Sequence, residues 1–83
     1  MRIPVTVYTL PSCVQCDSTK RMMTRLGIEF EAVMLTDEKA AEFKAQGFMA
    51  APIVTTDRKI WSGFQFHKIQ RLAAHIKSMS KSE

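Results

Sequence analysis

The sequence predicts a single α/β domain over residues 1–83, in which three helices flank a four-stranded mixed sheet in the order β-α-β-α-β-β-α. Three observations predict this class. The length of 83 residues is enough for one small core and too short for two. Segments rich in β-branched residues, in which apolar and polar side chains alternate, indicate strands. Between them, apolar residues spaced three and four apart indicate helices.

The first strand is predicted at residues 3–8, with Pro4 at its start because proline has no N–H to donate to a sheet. The first helix is predicted to begin at Cys13. Ser12, followed by Gln15 three residues later, fits a capping box in which each side chain bonds the backbone of the other residue. The apolar residues of this helix are Val14, Met22, Met23 and Leu26.

Gly27 is expected to end this helix, because glycine readily takes the left-handed conformation after a last helical turn. The second strand is predicted at residues 29–35. Thr36 is a suitable N-cap for the second helix, which Gly47 is expected to end. The buried stripe of that helix is predicted to contain Ala40, Ala41 and Phe43.

Two further strands are predicted at residues 53–56 and 60–61, joined as a hairpin by the turn 57–59. The last helix is predicted from Phe66, and residues 78–83 are expected to fray. The first crossover requires a parallel strand pair and the hairpin an antiparallel pair. The arrangement is therefore a minimal thioredoxin-like fold. The buried face of the last helix is predicted to contain Ile69, Leu72, Ala73 and Ile76.

Composition and charge exclude several classes of protein. The chain is 46% hydrophobic with three Gly and three Pro, which excludes disorder and collagen-like repeats. No apolar run approaches the roughly 20 residues of a membrane span, and the first ten residues do not form a signal peptide, so a cytoplasmic protein is expected. Twelve Lys and Arg against eight Asp and Glu give a net charge of +4. These cations are scattered, which favours a solvated surface over nucleic-acid binding, with docking on an acidic protein as the alternative.

Cys13 and Cys16 form a C-x-x-C motif at the start of the first helix. Thiol–disulfide exchange needs a thiolate that attacks and a second thiol that resolves the mixed disulfide. Residues three apart in a helix lie on one face, within bridging reach. The free N–H groups and the dipole at the helix N-terminus are expected to lower the pKa of the Cys13 thiol. Cys13 is therefore predicted to be the nucleophile and Cys16, one turn inside the helix, the resolving thiol.

Three other interpretations of the two cysteines are possible. A structural disulfide over so short a loop would remove little chain entropy, and a cytosol would reduce it. A zinc site would need two further ligands, and the candidates His67 and His75 are eight residues apart rather than three to five. The cysteines could also be buried and inert. No metal site is predicted.

Two further segments are predicted to lie near the cysteines. Pro52 opens the third strand, and in a thioredoxin-like sheet the proline at this position lies beside the cysteines with a cis peptide bond. This geometry would free the backbone of Ala51 to pair with an extended substrate segment. The other segment consists of Trp61, Ser62, Gly63 and Phe64. It has two interpretations: its aromatic rings pack in the core, with the glycine at positive φ, or the segment forms an apolar docking surface near Cys13.

The chain resembles the NrdH-redoxin family, thioredoxin-fold proteins with glutaredoxin-like sequences. The matching stretches are VYT-x-P-x-CVQC at residues 7–16, GFM-x-AP at residues 47–52 and WSGF at residues 61–64. The likeness extends to about residue 74. Members of the family usually have Lys at the position of Leu10. They often continue with Arg-Pro and an acidic residue where this chain has Gln65, Phe66 and His67.

The resemblance implies a small, monomeric dithiol reductant with no bound cofactor, whose redox group is the disulfide between Cys13 and Cys16. It implies electron delivery to the large subunit of class Ib ribonucleotide reductase, and re-reduction by thioredoxin reductase with NADPH. Glutaredoxins commonly have a basic residue at the position of Leu10, and a Gly-Gly turn with an acidic residue where this chain has Trp-Ser-Gly. A glutathione-dependent glutaredoxin is the nearest alternative. A carrier that holds zinc or an iron–sulfur cluster through the two cysteines is another.

Overall fold

The computed structural model describes residues 4–80 and shows the strands and helices in the predicted order. The helices are α1 (Val14–Arg25), α2 (Asp37–Ala45) and α3 (Phe66–Ser80). The strands are β1 (Thr6–Thr9), β2 (Glu31–Met34), β3 (Ile53–Thr55) and β4 (Ile60–Ser62).

The four strands form one mixed sheet in the order β2-β1-β3-β4. β1 pairs with β2 in parallel and with β3 antiparallel, and β3 and β4 form the predicted antiparallel hairpin. Tyr8 lies opposite Ile53, and Ile53 lies opposite Ser62. The register therefore brings the end of β1, the start of β3 and the end of β4 to the same end of the sheet. The predicted thioredoxin-like topology is confirmed.

The core lies between this sheet and the helices α1 and α3. Val7 and Val54 from the central strands are fully buried, as are Met23 from α1 and Ile69 from α3. Helix α1 contacts both β1 and α3. Burial of these side chains removes apolar surface from water and so fixes α1 against the sheet. The other members of the buried cluster are Val5, Ile28, Trp61 and Leu72.

The apolar residues that indicate α1 in the sequence do not all lie on its buried face. Val14 is 78% exposed, and Leu26 is exposed as well. Residues two apart in a helix lie on nearly opposite faces, so the inward direction of Cys16 turns Val14 toward solvent. The residues of α1 that are buried are Cys16, Thr19 and Met23.

Helix α2 is anchored by one aromatic side chain. Thr36 caps it as predicted, because its Oγ1 accepts a hydrogen bond at 3.2 Å from the backbone N–H three residues later. Phe43 is buried, and its ring makes an edge contact with Tyr8 at a centroid separation of 5.1 Å. The prediction that Ala41 is buried is wrong, and Ala40 is only half-buried. A helix held by one ring has no continuous buried stripe.

Glycines follow the first two helices as predicted. Gly27 has φ of 78°, the left-handed conformation that lets the chain leave α1. Gly47 follows the last turn of α2. The strand predicted at residues 29–35 is present but shorter, since its pairing with β1 is confined to Glu31–Met34.

Helix α3 extends further along the chain than predicted. Helix α3 continues to Ser80, so residues 78–80 are helical rather than frayed. The half-buried Ile76 still packs against the core and holds this part of the helix. Residues 81–83 of the predicted tail, and Ile3 of the first predicted strand, lie outside the described residues. Within residues 4–80, no helix has the length and apolar character needed to cross a bilayer.

Thr19 offers a test of the packing of α1. Its side chain is 0% exposed, and its Oγ1 has no hydrogen-bond partner among the described residues. Such a group is destabilising because it has lost its bonds to water. Thr19→Val removes the hydroxyl and keeps the shape, so the free energy of unfolding should rise by about 1 kcal/mol. Urea denaturation measures this change.

The control for this substitution is Thr24→Val, at an exposed position of the same helix. Its effect on stability should be small, because its hydroxyl is already solvated. A loss of stability in the Thr19 variant would mean that the buried hydroxyl makes a favourable bond.

Candidate active site

Cys13 is the N-cap of α1, so its sulfur lies at the N-terminus of that helix. Its backbone is extended, with φ of −106° and ψ of 107°. The Cys16 N–H donates a hydrogen bond to the Cys13 Sγ at 3.2 Å. The free N–H groups of the first turn and the helix dipole therefore act on this sulfur. Both favour a negative charge there.

The start of α1 differs from the predicted capping box. Ser12 has φ of 58°, a left-handed conformation outside the helix, so it does not supply the cap. The helix begins at Val14, one residue later than predicted, and a cysteine takes the place of serine as N-cap. The Gln15 side chain bonds elsewhere: its Oε1 accepts a hydrogen bond from the Phe64 N–H at 3.0 Å.

Cys13 and Cys16 form a disulfide across the first turn, with their Cα atoms 5.2 Å apart. Cys16 is 1% exposed, whereas Cys13 is only half-buried. A partner protein can therefore reach the Cys13 sulfur and not the Cys16 sulfur. The predicted roles of nucleophile and resolving thiol require this difference, and the assignment of each role stays a prediction.

The loop before β3 lies against the cysteines. The Ala51–Pro52 peptide bond is cis, as predicted, and the Pro52 side chain is buried. The Ala51 carbonyl oxygen lies 3.9 Å from the Cys13 Sγ, so a reduced thiol could donate to it. The Pro52 carbonyl accepts a hydrogen bond at 2.7 Å from the Gly63 N–H. This loop thus joins the cysteines to the turn after β4.

Gln15 connects the first turn of α1 to the same turn. Its bond to the Phe64 N–H spans 49 residues of sequence. Gly63 has φ of 79°, and a Cβ at this position would lie 3.5 Å from the Gln15 Oε1. The sequence does not indicate Gln15 as a positioning residue, because its partner is remote in sequence and no local pattern predicts the bond.

The residues of the Trp-Ser-Gly-Phe segment differ in burial, so the two predicted interpretations apply to different residues. Trp61 is 3% exposed and belongs to the core, so its predicted place in a docking surface is wrong. Its position opposite Val54 in the hairpin directs the indole inward. Phe64 is exposed, whereas Ser62 and Gly63 are half-buried. A docking role for these three residues stays a prediction.

Several large apolar side chains are exposed on the segments that adjoin Cys13. Val14 directly follows the nucleophile, and Met49, which is 71% exposed, lies two residues before Ala51. Clustered exposed apolar side chains are typical of surfaces that bind another protein. We use the term apolar rim for the exposed residues Leu10, Val14, Met49 and Phe64.

The histidines and the residues after Phe64 do not add metal ligands to the cysteines. His67 is exposed at the start of α3, where its ring contacts Phe66 at a centroid separation of 5.6 Å. The Gln65 Nε2 donates to the Ser62 carbonyl at 3.1 Å. Over residues 4–80, no three His, Cys, Asp or Glu side chains are placed to hold a metal ion.

A C-x-x-C disulfide at a helix N-terminus, beside a cis-proline loop of a thioredoxin-like sheet, defines a thiol–disulfide oxidoreductase. The glutaredoxin family model matches residues 5–61. The chain belongs to the glutaredoxin family and, within it, to the NrdH-redoxins.

The comparisons with known proteins agree with this assignment. The chain is 44% identical over 70 residues to the glutaredoxin-like protein NrdH of Salmonella typhimurium, which covers 82% of this chain and 86% of that protein. It is 32% identical over 71 residues to NrdH of Lactococcus lactis, with 83% and 99% covered. The solved structure of NrdH-redoxin from Escherichia coli matches with a TM-score of 0.77 and 43% identity, covering 87% of this chain and 95% of that chain. The family and fold predicted from the motifs are confirmed.

Replacing Gln15 with alanine should release the Phe64 amide. The lost hydrogen bond corresponds to about 1 kcal/mol, so exchange of this amide hydrogen with solvent should become roughly fivefold faster. Hydrogen exchange followed by NMR measures the change. Gln70→Ala, at an exposed position of α3, should leave the Phe64 amide unaffected. Equal exchange rates in the two variants would contradict a structural role for Gln15.

Proposed function

We propose that this redoxin is a dithiol hydrogen donor for the large subunit of class Ib ribonucleotide reductase, acting as a cytoplasmic monomer. Thioredoxin reductase, with electrons from NADPH, restores its dithiol. The observation that carries the redox role is the Cys13 sulfur at the N-cap of α1, 3.2 Å from the Cys16 nitrogen. The acceptor is inferred from the similarity to NrdH proteins. The reductase is inferred from the thioredoxin-like activity profile attributed to the Escherichia coli NrdH-redoxin.

Each reduction transfers two electrons in two exchange steps. The Cys13 thiolate attacks a disulfide of the partner, which forms a mixed disulfide and releases one partner thiolate. The Cys16 thiol then loses its proton and attacks the Cys13 sulfur. This step closes the Cys13–Cys16 disulfide and releases the second partner thiolate. The proton from Cys16, together with one from water, completes the two partner thiols.

The protein surface favours a protein partner over glutathione. Glutathione carries two carboxylates, which bind best to cations or to free backbone N–H groups. Leu10, three residues before Cys13, is exposed and apolar at the position where glutaredoxins commonly have a basic residue. In the turn after β4, the Phe64 N–H already bonds Gln15 and the Gly63 N–H already bonds Pro52. An apolar partner segment matches this surface better than a small anionic peptide.

NADPH oxidation distinguishes the two sources of electrons. The protein is assayed with insulin as the disulfide substrate, either with thioredoxin reductase or with glutathione and glutathione reductase. We expect turnover in the first assay and little in the second. In a third assay, class Ib ribonucleotide reductase replaces insulin, and NADPH oxidation should then match the deoxyribonucleotide formed.

Two outcomes would contradict the proposal. Turnover with glutathione alone would identify a glutaredoxin in the functional sense. Stoichiometric zinc or iron in the freshly isolated protein, with no turnover in any assay, would identify a carrier. The Cys13→Ser protein is the negative control for all three assays, because it lacks the attacking sulfur.

A further inference from the structure

A second concave site lies between the β3–β4 hairpin and α3. The turn at residues 56–59, the start of β4 and one face of α3 enclose a cleft of about 670 Å³. This volume lies within the roughly 300–1,000 Å³ that is typical of ligand sites. The cleft is remote from the cysteines: β3 begins next to Pro52 and reaches the turn three residues later, about 10 Å along the strand. It therefore belongs to the opposite end of the sheet from the active site.

The cleft has a strong positive charge. Two of its cations, Arg58 and Lys59, come from the turn, and two, Lys68 and Arg71, come from α3. Its single carboxylate is Asp57, so four positive charges minus one negative charge leave a formal charge of +3 with His75 neutral. None of the four cations forms an ion pair with a carboxylate in the described part of the chain. Unpaired cations gathered in one concavity favour an anionic ligand.

The floor of the cleft is apolar. Ile60 is partly exposed at its mouth, and Leu72 and Trp61 are buried beneath. Trp61 lines the cleft, but at 3% exposure it presents no face on which a base could stack, which leaves the single exposed ring of His75 among the lining residues. Binding of single-stranded nucleic acid depends on such faces. The floor instead fits an aliphatic side chain of a bound peptide.

The open edge of β4 supplies backbone partners beside these cations. The Thr56 N–H bonds the Lys59 carbonyl and the Gly63 N–H bonds the Pro52 carbonyl, so the ladder bonds to β3 fall on alternate residues. The N–H and C=O of Ile60 therefore point away from β3. β4 is the last strand of the sheet, and within the described residues no other strand pairs with it on that side. The outward Ser62 carbonyl already accepts from the Gln65 Nε2, so Ile60 is the residue of this edge that is open to a new strand. An extended segment added there would bond the backbone of Ile60 next to Arg58 and Lys59.

We propose that this cleft is a docking site for an extended acidic segment of a partner protein. The segment pairs with the open edge of β4, places its carboxylates against the four cations, and inserts an aliphatic side chain onto the apolar floor. Because the cleft is remote from Cys13, a partner bound there leaves the cysteine pair accessible. Tethering at a second site raises the effective concentration of a disulfide near Cys13. The proposal goes beyond the redox function and does not depend on which reductase or acceptor is used.

A fluorescein-labelled octapeptide of alternating Glu and Val tests this proposal by fluorescence anisotropy. We expect the peptide to bind, and binding to weaken as salt is raised to about 0.15 M, where the Debye length falls to about 8 Å. NMR shifts should move at the Ile60 and Leu72 amides and not at Cys13. The double variant Arg58→Glu, Arg71→Glu should weaken binding by roughly fivefold or more. The matched control Lys39→Glu, Lys44→Glu, on α2, should bind like the original protein.

Three results would overturn the proposal. These are equal binding of a Lys-Val octapeptide, equal loss in both double variants, and tighter binding of tripolyphosphate or of a single-stranded oligonucleotide at the same cleft. Insulin reduction driven by dithiothreitol should be unchanged in both double variants, since none of the four positions contacts the cysteines. This assay separates a failure of docking from a failure of the redox function.

Discussion

The Cys13→Ser protein is expected to reduce insulin no faster than the reaction without protein. The serine hydroxyl does not attack a disulfide, so the first exchange step is lost. Serine is also a favourable N-cap, so α1 should still begin at Val14. The loss should therefore be one of chemistry and not of folding. Circular dichroism of the variant provides the check on folding.

Cys16→Ser is the matched substitution one helical turn away. Here the half-buried Cys13 sulfur is retained and the fully buried Cys16 thiol is lost. The first exchange step should proceed and the second should fail, so the partner should accumulate as a one-to-one mixed disulfide with Cys13. Non-reducing electrophoresis and mass spectrometry detect this species.

The two cysteine variants together decide the roles. If the Cys13→Ser protein traps partners and the Cys16→Ser protein does not, the assignments are reversed. If both trap partners equally, exposure does not select the nucleophile, and the helix N-terminus gives Cys13 no advantage.

The Met23→Ala protein is expected to lose about 2–5 kcal/mol of unfolding free energy, the range for a fully buried methionine. Met23 is 0% exposed and lies in the cluster that joins α1 to the sheet. Alanine leaves a cavity and preserves helix propensity, so the loss reports packing and not the backbone. For a domain of this size the loss is a large part of the total stability. The urea midpoint should fall accordingly, with the slope of the transition unchanged.

Met22→Ala is the matched control, with the same chemical change at the adjacent position of α1. Met22 is only half-buried against the core, so its truncation should cost less than half as much. Similar losses at the two positions would contradict the face of α1 that packs on the sheet. The result bears on the active site as well, because Cys16 and Met23 lie on the same buried face.

The order of the elements follows from local sequence patterns. Alternation in the strands, the Thr36 cap and the glycines after α1 and α2 all lie within a few residues of the structure they specify. Two predictions from the same kind of pattern were wrong, because tertiary contacts decide them. The Ser12–Gln15 capping box does not form, since the Gln15 side chain bonds the Phe64 N–H instead. Ala41 fits a buried stripe by spacing but is exposed, since the Phe43 ring alone anchors α2.

The active-site residues were likewise predicted where a local motif indicates them and missed where a distant contact decides their position. The C-x-x-C motif, its place between strand and helix, and the family resemblance locate Cys13, Cys16 and the cis bond before Pro52. The bond from Gln15 to Phe64 escaped prediction because it joins residues 49 positions apart. The choice between core packing and docking for Trp61 stayed open for a related reason: only the pairing of β4 with β3 determines which face an aromatic residue takes.

The attachment of α2 through the contact of Phe43 with Tyr8 has a consequence for how the molecule fluctuates. Opening of this helix exposes one buried ring, whereas opening of α1 or α3 exposes much of the core. Local unfolding at the periphery therefore requires less free energy than cooperative unfolding of the whole domain. We therefore expect the segment from Thr36 to Gly47 to open locally while α1 and β3 stay folded. Insertions and proteolytic cleavage should be tolerated better in this segment than in α1 or α3.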